Sequence, residues 1–341
     1  MLDYIVVGFG ISGLSLSKAL SNKNRSFIIV SDASQKATLA AGGLVNPVML
    51  KTGKLVWNIN EFLPYAKQFY ASFEVNAFSE YPIHRIFNSV EEQNNHLALA
   101  NVINQEYVST ELVSAYNGIH APFKMSKVNG GGVISIQKIV NHEMDRLKQL
   151  EQFVFSTFDY AKLNMHSDHV EYDGLKAKHI IFSEGFGIVN NPFFQKLSIQ
   201  GNKGEYLIIQ LKSLQLKAIL KNKYFLIPLG DDLYKYGATY NRNEFDNQPS
   251  TVARDELQFH LNKMLTSEYT IVDQVAGIRP TVSDKKPIYG THSKYKNVHV
   301  FNGMGSRGLL LAPLLANELI NQLEDQLPLK KEIDIKRFKH L

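Results

Sequence analysis

The residues best suited to chemistry are a glycine cluster near the start of the chain and two arginines near its end. An apolar run, Leu2-Asp3-Tyr4-Ile5-Val6-Val7, leads into Gly8-Phe9-Gly10-Ile11-Ser12-Gly13. A helical spacing follows (Leu14, Leu16, Ala19, Leu20), then Phe27-Ile28-Ile29-Val30 and Asp32. Strand, glycine turn, helix, strand and acid in that order make a dinucleotide site. Gly8 permits the tight turn, Gly10 lets backbone N–H groups approach a pyrophosphate, and Gly13 lets the helix close on the strand. The helix N-terminus at Ile11 and Ser12 favours negative charge. Asp32 can accept hydrogen bonds from ribose hydroxyls.

Arg279 follows a strand pattern and precedes Pro280, so its backbone is held firmly. Its guanidinium fork matches a carboxylate with two parallel hydrogen bonds. The structural alternative is a salt bridge with Asp284. Gly303 and Gly305-Ser306-Arg307-Gly308-Leu309 form a second glycine-rich loop before a helical pattern. Arg307 is a candidate second contact there, and the loop's N–H groups suit an anion. Tyr240, just after Gly237-Ala238-Thr239, either lines a pocket or packs in a strand. His166 and His169 are read as polar surface, with no metal site expected.

Positioning these groups requires several elements. Helical spacing covers 58–74 and 137–150, another helix runs from Val252 to Leu265, and a last begins at about Pro313. Strand patterns cover 153–158, 170–172, 179–182, 205–211, 224–228, 233–239, 270–278 and 298–301, with Asp231-Asp232 as a hairpin turn. Ala40-Ala41-Gly42-Gly43-Leu44 is either an ordinary loop or a backbone running close to something flat. The fold class predicted is α/β: a Rossmann-like FAD/NAD(P)-binding domain with a parallel sheet, plus an inserted α+β domain that is largely antiparallel. The expected division is 1–76, 130–200 and 278–341 for the dinucleotide half, and 77–129 and 201–277 for the substrate half.

With 341 residues, 44% hydrophobic and 20% charged, the chain reads as an ordinary globular protein. It has no cysteine, which excludes disulfides, thiolate metal sites and cysteine nucleophiles. No apolar run approaches the ~18 residues of a membrane span, and no signal peptide is read before the first strand, so a cytoplasmic location without a membrane partner is expected. Net charge is +5 and the pI about 9.0, which fits a solvated basic surface or an acidic partner.

Together these motifs resemble the FAD-dependent D-amino acid oxidase and glycine oxidase superfamily. The resemblance rests on Gly8 to Gly13 with Asp32, Ala40 to Pro47, Ser183-Glu184-Gly185, Gly237-Ala238-Thr239, Gly277 to Pro280 with Asp284 and Pro287 to Gly290, and Gly303 to Pro313. The closing loop is similar to the branch containing the FAD domain of the bifunctional enzyme that completes 5-methylaminomethyl-2-thiouridine in tRNA. The resemblance implies FAD as cofactor, held by Gly8, Gly10, Ile11, Ser12, Gly13, Asp32, Ala41, Gly42, Gly43, Leu44, Gly185, Gly303, Gly305, Ser306, Arg307, Gly308 and Leu309. It implies oxidation of the C–N bond of an amino acid or N-substituted glycine by hydride transfer to flavin. Imine hydrolysis would follow, with oxygen as acceptor. Arg279, Arg307 and Tyr240 would face a small amine bearing a carboxylate. Removal of a carboxymethyl group from a tRNA wobble uridine, with tRNA as partner, is the alternative. A non-catalytic FAD-binding protein and a nicotinamide dehydrogenase are the remaining readings.

Overall fold

Leu2–Val7 is buried on both faces (Tyr4, Ile5 and Val6 are fully covered), as a central parallel strand must be. The computed structural model describes residues 1–50, 52–75, 77–102 and 106–338; residue 76 and residues 339–341, at the ends of predicted domain ranges, lie outside the described residues. Leu2–Val7 pairs in parallel with Phe27–Val30 on one side and Leu175–Phe182 on the other. Phe153–Val154 and Val298–Asn302 continue the parallel core at its two ends. Val170–Tyr172, Leu163–Met165 and Ile288–Thr291 add antiparallel strands. Tyr4 and Val6 pack in one apolar cluster with residues of the helices Ile11–Asn22, Ile59–Ala71, Ile136–Gln149 and Gly308–Asp325. Ile5 and Val7 pack in a second cluster with Phe182, Phe194 and Ile199.

A second sheet has the strand order Thr270–Val282, Ile199–Gln210, Leu233–Gly237, Phe225–Gly230, Ile219–Lys221, Ile83–Arg85, Met125–Val128, Val108–Val113. Its pairs are antiparallel except Ile219–Lys221 with Ile83–Arg85. The helix Thr251–Met264, capped by the Ser250 hydroxyl, buries Leu257, Leu261 and Met264 against Leu207, Ile209, Leu226 and Tyr236 of this sheet. Leu44–Val45, Gly132–Ile134 and Phe78–Glu80 form a small third sheet. The strand Thr270–Val282 runs past residue 278, where the dinucleotide half was expected to resume, so Arg279 stands on the second sheet, opposite Asn202.

Two elements differ from expectation. The strand predicted over 153–158 ends at Val154, because the chain turns there to bring the Thr157 hydroxyl onto Asp32 at 2.9 Å. The last helix begins at Gly308, not near Pro313, so Pro313 lies inside it. A proline there removes the N–H that would bond the carbonyl four residues back. That carbonyl belongs to Leu309, and the buried Tyr70 hydroxyl donates to it at 2.7 Å. Tyr70→Phe should therefore leave a buried acceptor unpaired and lower stability by about 1–3 kcal/mol, read as a shift in urea midpoint at constant slope.

Candidate functional site

Between the carboxyl ends of Leu2–Val7 and Phe27–Val30 and one face of the second sheet lies a cavity of about 470 Å³. Its first end is built by the opening turn. The helix Ile11–Asn22 starts from Gly10 with no side-chain cap of its own. The Ile11 N–H donates to the Thr38 hydroxyl at 2.9 Å. Asp32 faces this end, accepting from the Ser34 N–H and the Thr157 hydroxyl, each at 2.9 Å. Burial raises its pKa, but these hydrogen bonds outweigh it and hold the carboxylate below its ordinary range. Each oxygen keeps a lone pair for a further donor.

The middle wall is the short helix Ala37–Ala40 and the turn from Ala41 to Gly43, pressed against the second sheet. A Cβ on Gly42 would lie 3.1 Å from the Tyr206 hydroxyl. Lys235 is buried beneath this turn, donating to the Ala41 carbonyl at 2.9 Å and lying 5.1 Å from the centre of the Tyr206 ring. Burial pushes its ammonium down to about 8. Burial likewise raises the Tyr206 phenol, and the neighbouring Arg279 opposes that shift.

The far end carries Arg279. Its guanidinium lies over Gly204, where a Cβ would come within 2.0 Å of it, and 4.7 Å from the centre of the Tyr240 ring. Its Nη1 donates to the Thr239 carbonyl at 3.3 Å. Asp284 is not its partner, since that carboxylate pairs with Arg337 at 2.9 Å. Among the described residues no carboxylate forms an ion pair with Arg279. Lys203, the residue before Gly204 and fully buried, anchors the loop after Tyr240 through Glu244 at 2.9 Å and Asp246 at 2.7 Å.

The cavity brings together Gly8, Gly10, Ile11, Ser12, Asp32, Ala41, Gly42, Gly43, Leu44, Gly185, Tyr240, Arg279, Gly305, Ser306, Gly308 and Leu309. Three predicted site residues stand outside its lining. Gly13 is turned to the strand instead, with room for a Cβ closed off by the Gly8 carbonyl oxygen at 2.1 Å. Gly303 makes the turn under Val282. Arg307 is exposed, at the end of the short turn Gly305–Arg307, and partial desolvation lowers its pKa while nearby Tyr240 opposes the change. Tyr240 is not packed in a strand; it is 67% exposed at the mouth. Thr38, Lys235, Tyr206 and Gly204 were passed over in the sequence. The one local signal was Lys235, a charge inside the apolar run Leu233 to Tyr236. His166 and His169 are not among this cavity's lining residues; they lie in a hairpin where their rings stack at 4.3 Å and approach Glu171.

An uncapped helix start, an acid at the end of the second strand and a wall of small residues fit the pyrophosphate, ribose and flat ring of FAD. Fold and site together define a flavoprotein oxidoreductase. The chain matches the FAD dependent oxidoreductase family, DAO, over residues 3–322 and belongs to it. It is 29% identical over 154 residues to the tRNA 5-methylaminomethyl-2-thiouridine biosynthesis bifunctional protein of Idiomarina loihiensis, covering 42% of this chain and 25% of that one. It is 25% identical over 180 residues to the glycine oxidase of Bacillus subtilis, covering 45% and 48%. The matched stretches thus span less than half the length of these relatives. Among solved structures, iminodiacetate oxidase from Chelativorans superposes with a TM-score of 0.80 at 17% identity, covering 98% of both chains. Glycine oxidase from Bacillus cereus gives 0.78 at 16%, covering 96% of both. The protein is an FAD-dependent oxidoreductase with the α/β fold of these enzymes, and among its described residues no helix is long and apolar enough to cross a membrane.

If Asp32 holds the ribose, Asp32→Ala should weaken FAD binding by about 10- to 100-fold, the equivalent of a hydrogen bond to a charged group. Titration of the stripped protein with FAD, followed by absorbance, checks this. Because the native pKa is lowered, the contribution of Asp32 to folding stability is present above the ordinary carboxylate range and is lost as pH falls through that lowered value.

Proposed function

We propose that this enzyme oxidises the C–N bond of an amine with a carboxylate on the adjacent carbon, an amino acid or an N-substituted glycine. The observation that carries the reading is Arg279, a guanidinium in the cavity wall with no carboxylate partner among the described residues. A cation so placed is matched by a carboxylate from the substrate, in a bidentate pair. The glycine and iminodiacetate oxidases with the same fold act, by their names, on amines of this kind.

Bound FAD supplies the two-electron acceptor. Arg279 fixes the carboxylate and with it the α-carbon. Gly204 below and Tyr240 above keep the guanidinium plane from turning. An amine that enters neutral can lose the α C–H as hydride without a protein base. Oxidation removes the α C–H with its electron pair and the N–H proton. Water then splits the imine into an oxo acid and the released amine. Oxygen as final acceptor would take up the two electrons and the two protons lost by the amine and leave as hydrogen peroxide. The backbone N–H groups from Gly305 to Leu309, at the start of a helix with no side-chain cap, favour negative charge at that wall.

A second reading keeps this chemistry and takes the carboxymethyl group of a modified wobble uridine in tRNA. It is favoured by the 29% match to the bifunctional tRNA protein and by the net charge of +5. Nucleoside mass spectrometry of tRNA before and after incubation separates the two: release of the carboxymethyl group supports it, an unchanged nucleoside excludes it.

Anaerobic addition of the right amine should bleach the visible flavin band. Arg279→Met should raise KM by about 10- to 100-fold, the worth of a charge-assisted hydrogen bond. Gly204→Val should raise KM in the same direction with Arg279 still present. An Arg279→Met enzyme with unaltered KM would sink the carboxylate assignment.

A further inference from the structure

The far end of the cavity holds a second cation that the carboxylate clamp does not use. Tyr206, Gly237, Phe225 and Lys221 are paired in register on four neighbouring strands. Directly paired residues of an antiparallel sheet share a face, so this row looks into the cavity, and all four residues line it. Three strand spacings of about 4.8 Å put Lys221 roughly 14 Å across the sheet from Tyr206, and Tyr206 adjoins Arg279.

Lys221 is not placed as a surface lysine would be, with its ammonium in water. Its Nζ lies 4.9 Å from the centre of the Phe225 ring and donates to the carbonyls of Asn222, at 2.8 Å, and Lys223. An ammonium has three N–H groups, so one is left for a ligand. The surrounding charges do not neutralise it. Arg85, beside it in register, is paired with Glu92 at 3.2 Å, and Lys223 is paired at the rim with Glu256 at 2.8 Å. Among the described residues Lys221 has no ion pair of its own. Burial first, then Arg85 and Lys223, push its pKa down to about 8. An entering anion would relieve that cost.

We propose that Lys221 is a second anion receptor, so that the substrate carries, besides the carboxylate held by Arg279, a distal carboxylate or phosphate reached across the floor of the second sheet. Phe225 and Gly237 form the floor between the two charges, a flat apolar surface suited to a planar or extended connecting group. The inference rests on the carboxylate reading of Arg279.

The test uses the FAD-loaded protein and ligands that cannot be oxidised. Straight-chain monocarboxylates, α,ω-dicarboxylates and ω-phosphonocarboxylates of increasing length are titrated against the flavin absorption. Dianions of matching length should bind at least about tenfold more tightly than monocarboxylates of the same length, one ion pair's worth. The better of the two dianion series tells carboxylate from phosphate. In Lys221→Met that ratio should fall to near one, and Lys221→Arg should restore it. Monocarboxylate binding with no gain from a second anion at any length would overturn this inference alone. A gain that survives Lys221→Met would overturn it too. A protein that binds no carboxylate of either kind would overturn both this and the Arg279 reading.

Discussion

The site depends on one close approach. Helix Ile11–Asn22 lies so near its preceding strand that a Cβ on Gly13 would stand 2.1 Å from the Gly8 carbonyl oxygen. Only there can the helix axis aim its first turn into the cavity while Leu14, Leu16 and Leu20 stay in the core. Ser183 locks the neighbouring strand end, its hydroxyl lying 2.9 Å from the Val7 carbonyl and 3.0 Å from that of Gly8. Shift the helix outward by the width of a methyl group, and Ile11 loses Thr38 and with it the start of the small-residue loop.

The second sheet solves a complementary problem, holding positive charge near an apolar ring site. Arg279 and Lys235 are both fixed by backbone carbonyls and tyrosine rings instead of by acids. An acid beside Arg279 would neutralise it and compete with any anionic ligand. Acids are instead spent a few residues away, where Glu205, Glu244 and Asp246 surround Lys203 and pin the loop that follows Tyr240. The strand Ile199–Gln210 thus carries a neutralised lysine and, one residue on, the bare glycine on which a free guanidinium rests.

The opening unit was legible because everything it needs lies within about thirty consecutive residues, where period, glycine spacing and the closing acid reinforce one another. Arg279 was legible for a similar reason, a cation between a strand pattern and a proline. The start of the last helix was not. Proline rules place Pro313 in a first turn, and the hydroxyl that lets the helix continue through it comes from Tyr70, remote in sequence. Tyr206, Gly204 and Lys235 were hidden because their neighbours are set by strand register, which no local pattern states. The glycine-rich loop before the last helix was legible as a turn; the exposure of Arg307 at its end was not, because it depends on packing against the second sheet.

The cavity walls come from both sheets, and the chain crosses between those sheets more than once. A coenzyme seated there would meet segments as distant as Gly10, Gly42 and Gly305, all of which line the cavity, and an unfolded chain offers no such grip. By mass action, any ligand that recognises only the native form deepens its free-energy well in proportion to the logarithm of its concentration. Loss of the coenzyme would by the same arithmetic make that well shallower and leave the enzyme idle.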